Sequence, residues 1–532
     1  MKTRYKFTFL FLLFVAIIQA QTTHEQLSAL NIEHYKLSIE LNDENNNIKA
    51  SMEVSMRFMK NIATFDLDFV EQDALTGEGM KVDSIYQNNI PVAFKQQNNK
   101  LTITPKHIFP NLKYTFTIKY SGIPKTGLII RQNSFGDRTF FADNWPNRAH
   151  NWFPCIDHPF DKATVEYIVK APKHYQVIAN GILVKETVLK NNLKQTHYKT
   201  AIPLPTKVMV IGVANFEVQQ LGETQNIPVS SWVYPQAREK GFHDFSNGKE
   251  ILDFFIETIG EFPFEKLANV QSTTQFGGME NASAIFYHEK AITGEGKIDP
   301  LMAHEIAHQW FGDAASEIDW PHIWLSEGFA TYFADLYVQK SKGDSVFQRR
   351  MVNERKKVFD FYKKQQTPIV DARTTNLVDL LNPNSYEKGA WVLHMLRKEL
   401  GSDVFFKGIK TYYNSYKFSN ASTLDFKNVM EKTAGKNLDV FFKQWLMKSE
   451  YPVLKSNWIY YNNKVRLMLE QTQGTAFEFP LDVELIYTDG SSEIKTIRVT
   501  YKTEPFVIES SGEVKELNFD PNNWLLFEMS TE

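Results

Sequence analysis

The feature that most constrains this chain is the HExxH sequence at residues 304–308, which is followed after eighteen residues by Glu327. On an α-helix, positions i and i+4 lie on one face, so His304 and His308 can both bind one metal ion. The residues around the motif are apolar, which favours a buried helix. Two histidines and a carboxylate buried there without a partner would be unfavourable. The pattern therefore predicts two helices that meet at a metal ion.

Two histidines and one glutamate are a typical ligand set of catalytic zinc, in which a fourth position stays open for water. The metzincin class is excluded, because Phe311 and Ala314 occupy the glycine and third-histidine positions of its longer motif. A glutamate ligand far downstream is the thermolysin-type arrangement. The sequence thus predicts one Zn²⁺ ion bound by His304, His308 and Glu327. Glu305 lies beside the site, where it could take a proton from the attacking water.

A second motif lies upstream, where residues 276–281 read FGGMEN. Taken alone, two adjacent glycines indicate a turn between strands. Together with HExxH and the downstream glutamate, however, the segment resembles the aminopeptidase N family of zinc metallopeptidases, peptidase family M1. Gly278 stands where that family usually has alanine.

The resemblance runs from about residue 30 to the end of the chain. Further segments that carry it are FPCIDHP at residues 153–159, KAT at 162–164, ANG at 179–181, FPFEKL at 262–267 and SYEKG at 385–389. It implies a zinc-dependent aminopeptidase that acts on peptides with a free N-terminus.

The resemblance also implies roles for two catalytic residues. Glu305 is expected to act as the general base and then to protonate the leaving amine. Tyr386, in the SYEKG segment, is expected to donate a hydrogen bond to the oxyanion. Without the resemblance, Tyr386 would be interpreted as an ordinary tyrosine at the start of a helix.

Substrate binding is assigned to the GGMEN segment by the same resemblance. Glu280 is expected to bind the α-ammonium group of the substrate, since a buried carboxylate there would disfavour acylated N-termini. Gly277, Gly278, Met279 and Asn281 are expected to contact the substrate, with Met279 at the floor of the first side-chain pocket.

Many family members have a second acidic or glutamine contact to the ammonium, upstream of the FPC motif. This chain departs from the usual pattern there, since residues 141–148 read FADNWPNR. Asp143 and Asn144 are alternative candidates, and the sequence does not decide between them.

The chain of 532 residues is long enough for about three domains. Alternating strand patterns dominate up to about residue 218, helical periods dominate to about 450, and strands then return. We predict a multi-domain α+β protein with a β-rich N-terminal domain at 21–218, a thermolysin-like, mostly helical catalytic domain at 219–450 and a small β-sandwich at 451–532. The large helical domain that ends many family members has no counterpart in this sequence.

Residues 1–20 have the pattern of a secretory signal peptide, with a basic start and an apolar run from 7 to 18. Twelve apolar residues are too few to span a bilayer, so a cleaved signal is favoured over an anchor. We expect an exported protein, periplasmic or secreted, without a stable membrane anchor in its mature form. Cys155 is the only cysteine, so no internal disulfide is possible and a buried thiol is expected.

The sequence also bears on several other functions. The net charge of −3 and the absence of a basic tract argue against a nucleic-acid partner. A bifunctional epoxide hydrolase of the leukotriene type shares this zinc site, and a catalytically silent scaffold is the non-enzyme alternative. The scaffold would usually have lost a metal ligand or Glu305, and all are present here. The sequence does not predict the oligomeric state.

Overall fold

The computed structural model describes residues 29–530, which fold into two compact units. The first contains the residues up to Ser246 together with Phe264–Lys297, and the second contains Asn247–Pro263 and the residues from Ile298 onward. The predicted signal peptide at 1–20 lies outside the described residues. Within residues 29–530, no helix is both long enough and apolar enough to cross a membrane.

The first unit is built almost entirely from β-strands, as predicted for the N-terminal region. In chain order they are β1 (Leu30–Glu40), β2 (Ile48–Phe58), β3 (Phe65–Asp68), β4 (Gly79–Gln87), β5 (Ile90–Pro91), β6 (Ala93–Gln97), β7 (Lys100–Thr104), β8 (Lys113–Ile123), β9 (Leu128–Gln132), β10 (Arg138–Ala142), β11 (Lys162–Pro172), β12 (Gln176–Ala179), β13 (Ile182–Val188), β14 (Leu193–Lys199), β15 (Leu204–Pro205), β16 (Ile211–Ala214), β17 (Glu217–Thr224), β18 (Ile227–Val233), β19 (Leu267–Ser272), β20 (Gly278–Met279) and β21 (Ala284–His288). A short helix, Arg238–Asp244, follows β18.

The largest sheet of this unit has nine strands in the order β13-β14-β11-β1-β2-β8-β4-β5, with β15 paired to β11. Its strands alternate as half-buried strands should: in β1 the side chains of Tyr35, Leu37 and Ile39 are buried and those between them are partly exposed. Three smaller sheets have the orders β12-β16-β10-β9, β17-β18-β19-β21-β20 and β3-β7-β6. Cys155 is buried, as expected.

The second unit carries most of the helices. They are Gly248–Thr258, Asp299–His308 (the histidine helix), Trp324–Lys342 (the glutamate helix), Asp344–Tyr362, Gly389–Leu400, Ser402–Tyr416, Thr423–Ala434 and Asp439–Leu446, and a π-helical turn spans Asn384–Lys388. Residues 391–396, which are mostly apolar, are buried in the helix Gly389–Leu400. The helical region that the sequence predicts is therefore present.

Strands return at the C-terminal end of this unit. The strands of the unit are β22 (Ala315–Glu317), β23 (Ser419–Ala421), β24 (Val453–Tyr461), β25 (Lys464–Gln471), β26 (Phe479–Tyr487), β27 (Ser492–Val499), β28 (Thr503–Glu509), β29 (Val514–Phe519) and β30 (Glu528–Met529). Seven of them form two sheets, β28-β25-β24-β30 and β27-β26-β29, and β22 pairs with β23. The two compact units do not test the predicted boundaries at residues 218 and 450, since one unit can hold several domains.

Candidate metal centre

The histidine and glutamate helices pack against each other and bring three potential metal ligands together. The Nε2 atoms of His304 and His308 lie 3.0 Å apart. Oε2 of Glu327 lies 3.4 Å from the first of these nitrogens and 3.3 Å from the second. Among residues 29–530, no other His, Cys, Asp or Glu side chains form such a group. The sequence-predicted ligand set is thus brought to one point.

His308 is held in one tautomer by two neighbours that the sequence analysis missed. Its Nδ1 lies 3.1 Å from the carbonyl oxygen of Phe311 and 3.0 Å from Oγ of Ser326. Because a carbonyl only accepts, Nδ1 carries the hydrogen, and the lone pair of Nε2 is left for a metal. Gly312 makes this approach possible: its φ is +120°, and a Cβ there would lie 2.2 Å from Oγ of Ser326.

The electrostatics of the three side chains fit a divalent cation. Burial favours the neutral acid of Glu327, but the adjacent His308 and His304 outweigh it and hold the pKa of this carboxyl well below its usual range. Two protonated imidazoles at this separation would repel each other, whereas one metal ion satisfies both nitrogens. Two imidazole nitrogens and an ionised carboxylate are the ligand types that zinc takes in catalytic sites.

The two predicted catalytic residues lie beside this group. Glu305 follows His304 in the histidine helix and is buried, with 5% of its surface exposed. Tyr386 lies in the π-helical turn, and its ring stacks on the His304 imidazole with 5.9 Å between the ring centroids. The structure therefore places the Tyr386 ring against a predicted metal ligand, and Glu305 is the buried neighbour of that ligand in the chain.

A backbone contact fixes the distance between the glutamate helix and the π-helical turn. Gly328 follows Glu327, and Gly389 follows the turn. A Cβ built on Gly328 would lie 2.9 Å from Cα of Gly389, and one built on Gly389 would lie 2.9 Å from Cα of Gly328. Neither position has room for a side chain, which explains a glycine in each motif.

The π-helical turn is also anchored from its far side by Lys388. This ammonium group is buried and donates to the carbonyl oxygens of Lys448 (3.3 Å) and Ser449 (3.1 Å). Burial lowers the pKa of Lys388 to about 7. On the exposed side, Lys357 Nζ lies 2.7 Å from Oε1 of Glu387. These contacts hold the segment that carries Tyr386.

The GGMEN segment belongs to the first compact unit. Strand β20 pairs with β21, which sets Met279 opposite Phe286, and the carbonyl oxygen of Gly277 accepts from the backbone N–H of His288 at 3.0 Å. Met279 and Glu280 are both buried. Asn281 is fully buried, and neither polar atom of its side chain has a hydrogen-bond partner within the described part of the chain.

The ANG and FPFEKL motifs, at residues 179–181 and 262–267, donate hydrogen bonds to the residues that follow the GGMEN segment. The Asn180 amide, in the ANG motif, donates to the carbonyl oxygen of Ala282 at 2.6 Å. The Lys266 ammonium, in the FPFEKL motif, donates to Oγ of Ser283 at 3.2 Å. The backbone N–H of Gly181 donates to the same oxygen at 3.0 Å. Residues 282–283 are therefore fixed by hydrogen bonds from two distant parts of the sequence.

The alternative ammonium contacts, Asp143 and Asn144, both have partners inside the first unit. The amide group of Asn144 donates to the carbonyl oxygens of Thr206 (3.0 Å) and Met209 (2.6 Å) and accepts from Nε1 of Trp152 (2.8 Å). Both amide hydrogens of Asn144 are therefore used within the fold.

Asp143 forms an ion pair with Arg148 and accepts from the backbone N–H of Gln275 at 3.1 Å. Burial raises the pKa of this carboxyl, and the neighbouring Arg148 partly opposes the shift. Neither Arg148 nor Gln275 was predicted as its partner.

Comparison with known proteins places most of this chain in two family models. Residues 31–208 match the peptidase M1 N-terminal domain, and residues 243–445 match the peptidase family M1 domain. The second match includes the three candidate metal ligands, Glu305 and Tyr386.

Several curated proteins are similar in sequence. A probable aminopeptidase 2 of Sulfurisphaera tokodaii is 28% identical over 80% of this chain and 58% of its own length. Glutamyl aminopeptidase of Rattus norvegicus is 28% identical over 59% of this chain and 35% of its own, and that of Homo sapiens is 27% identical over 62% and 36%. This chain thus spans between about a third and three fifths of the length of these relatives.

Proposed function

Because this chain belongs to peptidase family M1, we propose that it is a zinc-dependent aminopeptidase that removes N-terminal amino acids from peptides. The observation that carries the proposal is the convergence of His304, His308 and Glu327 within the region that matches the family's peptidase domain. The similarity to proteins named aminopeptidase supports the same activity.

His304, His308 and Glu327 would hold the zinc ion. When bound, zinc polarises the scissile carbonyl and makes a water molecule more acidic. The contact between His308 and the carbonyl group of Phe311 keeps the imidazole oriented with Nε2 toward the ion. Ionised Glu327 adds a negative charge that partly neutralises the metal.

Glu305 and Tyr386 would carry the proton transfer and the oxyanion contact. Glu305 takes a proton from the water that attacks the peptide carbonyl and delivers it to the leaving nitrogen. The Tyr386 hydroxyl donates a hydrogen bond to the oxygen that becomes negatively charged. The stacking of Tyr386 on His304 supports this role, because it keeps the tyrosine beside a metal ligand.

Glu280 would make the enzyme an exopeptidase by pairing with the α-ammonium group of the substrate. Gly277, Gly278, Met279 and Asn281 would line the substrate site, with Met279 at the floor of the first side-chain pocket. The burial of Glu280 supports this proposal, because a partly desolvated carboxylate pairs more strongly with an ammonium group than an exposed one does.

We also propose a thermolysin-like fold for the helical region and a small β-sandwich for the two C-terminal sheets. The signal-like pattern at residues 1–20 supports export to the periplasm or the exterior. Peptides with a free N-terminus would be the substrates, and nucleic acids would not bind.

Elemental analysis combined with a panel of fluorogenic aminoacyl amides tests the proposal. We expect one zinc ion per chain and cleavage of unblocked amides. Relatives named glutamyl aminopeptidase are the reason to include a glutamyl amide in the panel. A protein that contains zinc and cleaves none of the amides would contradict the aminopeptidase proposal, and an epoxide substrate would then be tested.

A further inference from the structure

We propose that Asp143 and Arg148 form a clamp that positions the segment carrying Glu280, and that neither of them binds the substrate ammonium group. The existence of the clamp depends only on contacts within the first compact unit. Its effect on substrate binding rests on the proposed function, in which Glu280 pairs with the ammonium group.

The first half of the clamp is the carboxylate of Asp143, which is fully buried. Its Oδ1 pairs with Nη2 of Arg148. Its Oδ2 accepts from the backbone N–H of Gln275 at 3.1 Å. Both oxygens are therefore engaged, one by a guanidinium group and one by the chain just before GGMEN.

The second half is the guanidinium group of Arg148. Its Nη1 donates to Oε1 of Gln275 at 3.1 Å, and its central carbon lies 5.9 Å from the centroid of the Phe276 ring. The Phe276 ring also makes an edge contact with Trp145, and the two ring centroids are 6.4 Å apart. Segment 143–148 thus fixes both the backbone and the side chains at Gln275 and Phe276.

The clamp lies before the two glycines that precede Glu280, and this position allows it to affect where Glu280 is held. Asn180 and Lys266 fix the far end of the segment at Ala282 and Ser283. Two glycines, residues 277 and 278, lie between the clamp and Glu280. Glycines have more conformational freedom than other residues, so an anchor before them adds to the pairing of β20 with β21 and to the His288–Gly277 hydrogen bond in keeping Glu280 in one position.

Charge explains why Asp143 itself is a poor ammonium ligand. An ion pair of a carboxylate with a guanidinium carries little net charge, and an ammonium group brought close to it would also meet the positive charge of Arg148. Asp143, the acidic residue upstream of the FPC motif, therefore has a structural role here and does not bind the substrate ammonium group. Glu280 is left as the acidic ammonium ligand of this region.

The decisive measurement is hydrogen–deuterium exchange of peptides that cover residues 275–281 in the full-length zinc enzyme. In Arg148→Ala, exchange of these peptides should be faster, while peptides of the histidine and glutamate helices stay unchanged. Arg148→Lys should restore part of the protection, because it keeps the charge paired with Asp143 but loses the planar group over Phe276. The control is Arg57→Ala, which removes an arginine that pairs with Glu33 elsewhere in the same unit.

The kinetic consequence is measured with an unblocked aminoacyl amide. Arg148→Ala should raise KM about tenfold, the scale expected for one lost charge-assisted contact, with kcat changed less than about twofold. Asp143→Asn keeps an acceptor for Gln275, so it should raise KM less than Glu280→Gln does.

Two results would overturn the clamp. One is unchanged exchange at residues 275–281 in Arg148→Ala. The other is a rise in KM for Asp143→Asn as large as that for Glu280→Gln, which would make Asp143 an ammonium ligand. If Glu280→Gln leaves KM unchanged, the proposed role of Glu280 fails instead, and the exchange measurement alone decides the clamp.

Discussion

The ring of Tyr386 lies nearly parallel to the imidazole of His304, with 11° between their planes. A residue of the π-helical turn is thereby fixed against a residue of the histidine helix, although the two are distant in sequence. Under the proposed mechanism this contact keeps the oxyanion donor next to a metal ligand.

Replacing Tyr386 with Phe should lower kcat by roughly 10²–10³, the usual effect of removing one oxyanion donor. The zinc content should be unchanged, because Tyr386 is not a metal ligand. Stopped-flow or steady-state assays with a fluorogenic amide measure the effect, and Tyr461→Phe, an exposed tyrosine of β24, serves as the control. A near-normal kcat would remove Tyr386 from the mechanism.

Replacing His304 with Ala should abolish zinc binding and activity together. Two ligands bind the ion much more weakly than three. A chelator should also abolish the activity of the unmutated enzyme, and stoichiometric zinc should restore it. His322→Ala is a matched control, since His322 lies near Glu327 in sequence but contacts Thr423 instead. Pure protein that is active without a transition metal would refute the zinc assignment.

Replacing Glu305 with Gln should keep zinc in place and remove most of kcat. The amide has nearly the same shape as the carboxylate but cannot accept a proton at neutral pH. Metal analysis and kinetics on the same preparation separate this result from loss of the ion. If the variant retained most of the activity, another group would have to be the base.

Acetylating the N-terminus of a substrate should prevent its cleavage. An acetylated substrate leaves the Glu280 carboxylate unpaired, which costs roughly 1–3 kcal/mol or more. Competition of matched free and acetylated amides measures the difference in kcat/KM. Glu280→Ala should weaken only the free-amine substrate, and equal kcat/KM for both substrates in the unmutated enzyme would favour an endopeptidase.

The stability of the second unit should fall with acid through His394. This imidazole is buried, accepts from the Tyr332 hydroxyl at 3.1 Å and donates from Nε2 to the carbonyl oxygen of Asn523 at 3.0 Å. Burial, together with the charge of Arg397, outweighs the Asn523 contact and lowers the pKa of His394 to about 3. The unfolded chain binds this proton near pH 6.5, so the stabilisation is complete above 6.5 and is lost as the pH falls toward 3.

The expected slope is up to about 1.4 kcal/mol of unfolding free energy per pH unit. His394→Gln keeps one donor and one acceptor but does not titrate, so its urea midpoint should depend less on pH between 6.5 and 4.5. Any metal released in acid would be released from both proteins, so only the difference between them reports on His394. Identical pH dependences would show that His394 is not responsible.

The convergence of the three candidate metal ligands could be predicted because their arrangement is mostly local. The i, i+4 spacing of His304 and His308 fixes their common face in any α-helix, and the motif around Glu327 adds the third ligand. Strands such as β1 were predicted for the same reason, since alternation of buried and exposed side chains is a property of a short segment.

Contacts between segments that are distant in sequence could not be predicted from such local patterns. The hydrogen bond from Nδ1 of His308 to Oγ of Ser326 depends on the absence of a side chain at Gly312, and the sequence does not reveal that contact. One partner of Asp143 is Gln275, which lies in a loop 132 residues away, and the other is Arg148, five residues along in an irregular turn, so no regular spacing predicted either contact. The π-helical form of the turn around Tyr386 could not be predicted from the sequence either. A π-helical turn contains one more residue than an α-helical turn, and whether it forms depends on packing.

The contact between Gly328 and Gly389 joins a metal ligand to the proposed oxyanion donor through two backbones rather than through side chains. A methyl group at either position would push the glutamate helix and the π-helical turn apart, which would displace Glu327 and Tyr386 together. Under the proposed function, affinity for the ion and the rate of the chemical step would therefore change together at this contact. Substitutions that change the metal affinity without changing the rate, or the reverse, would have to lie elsewhere in the second unit.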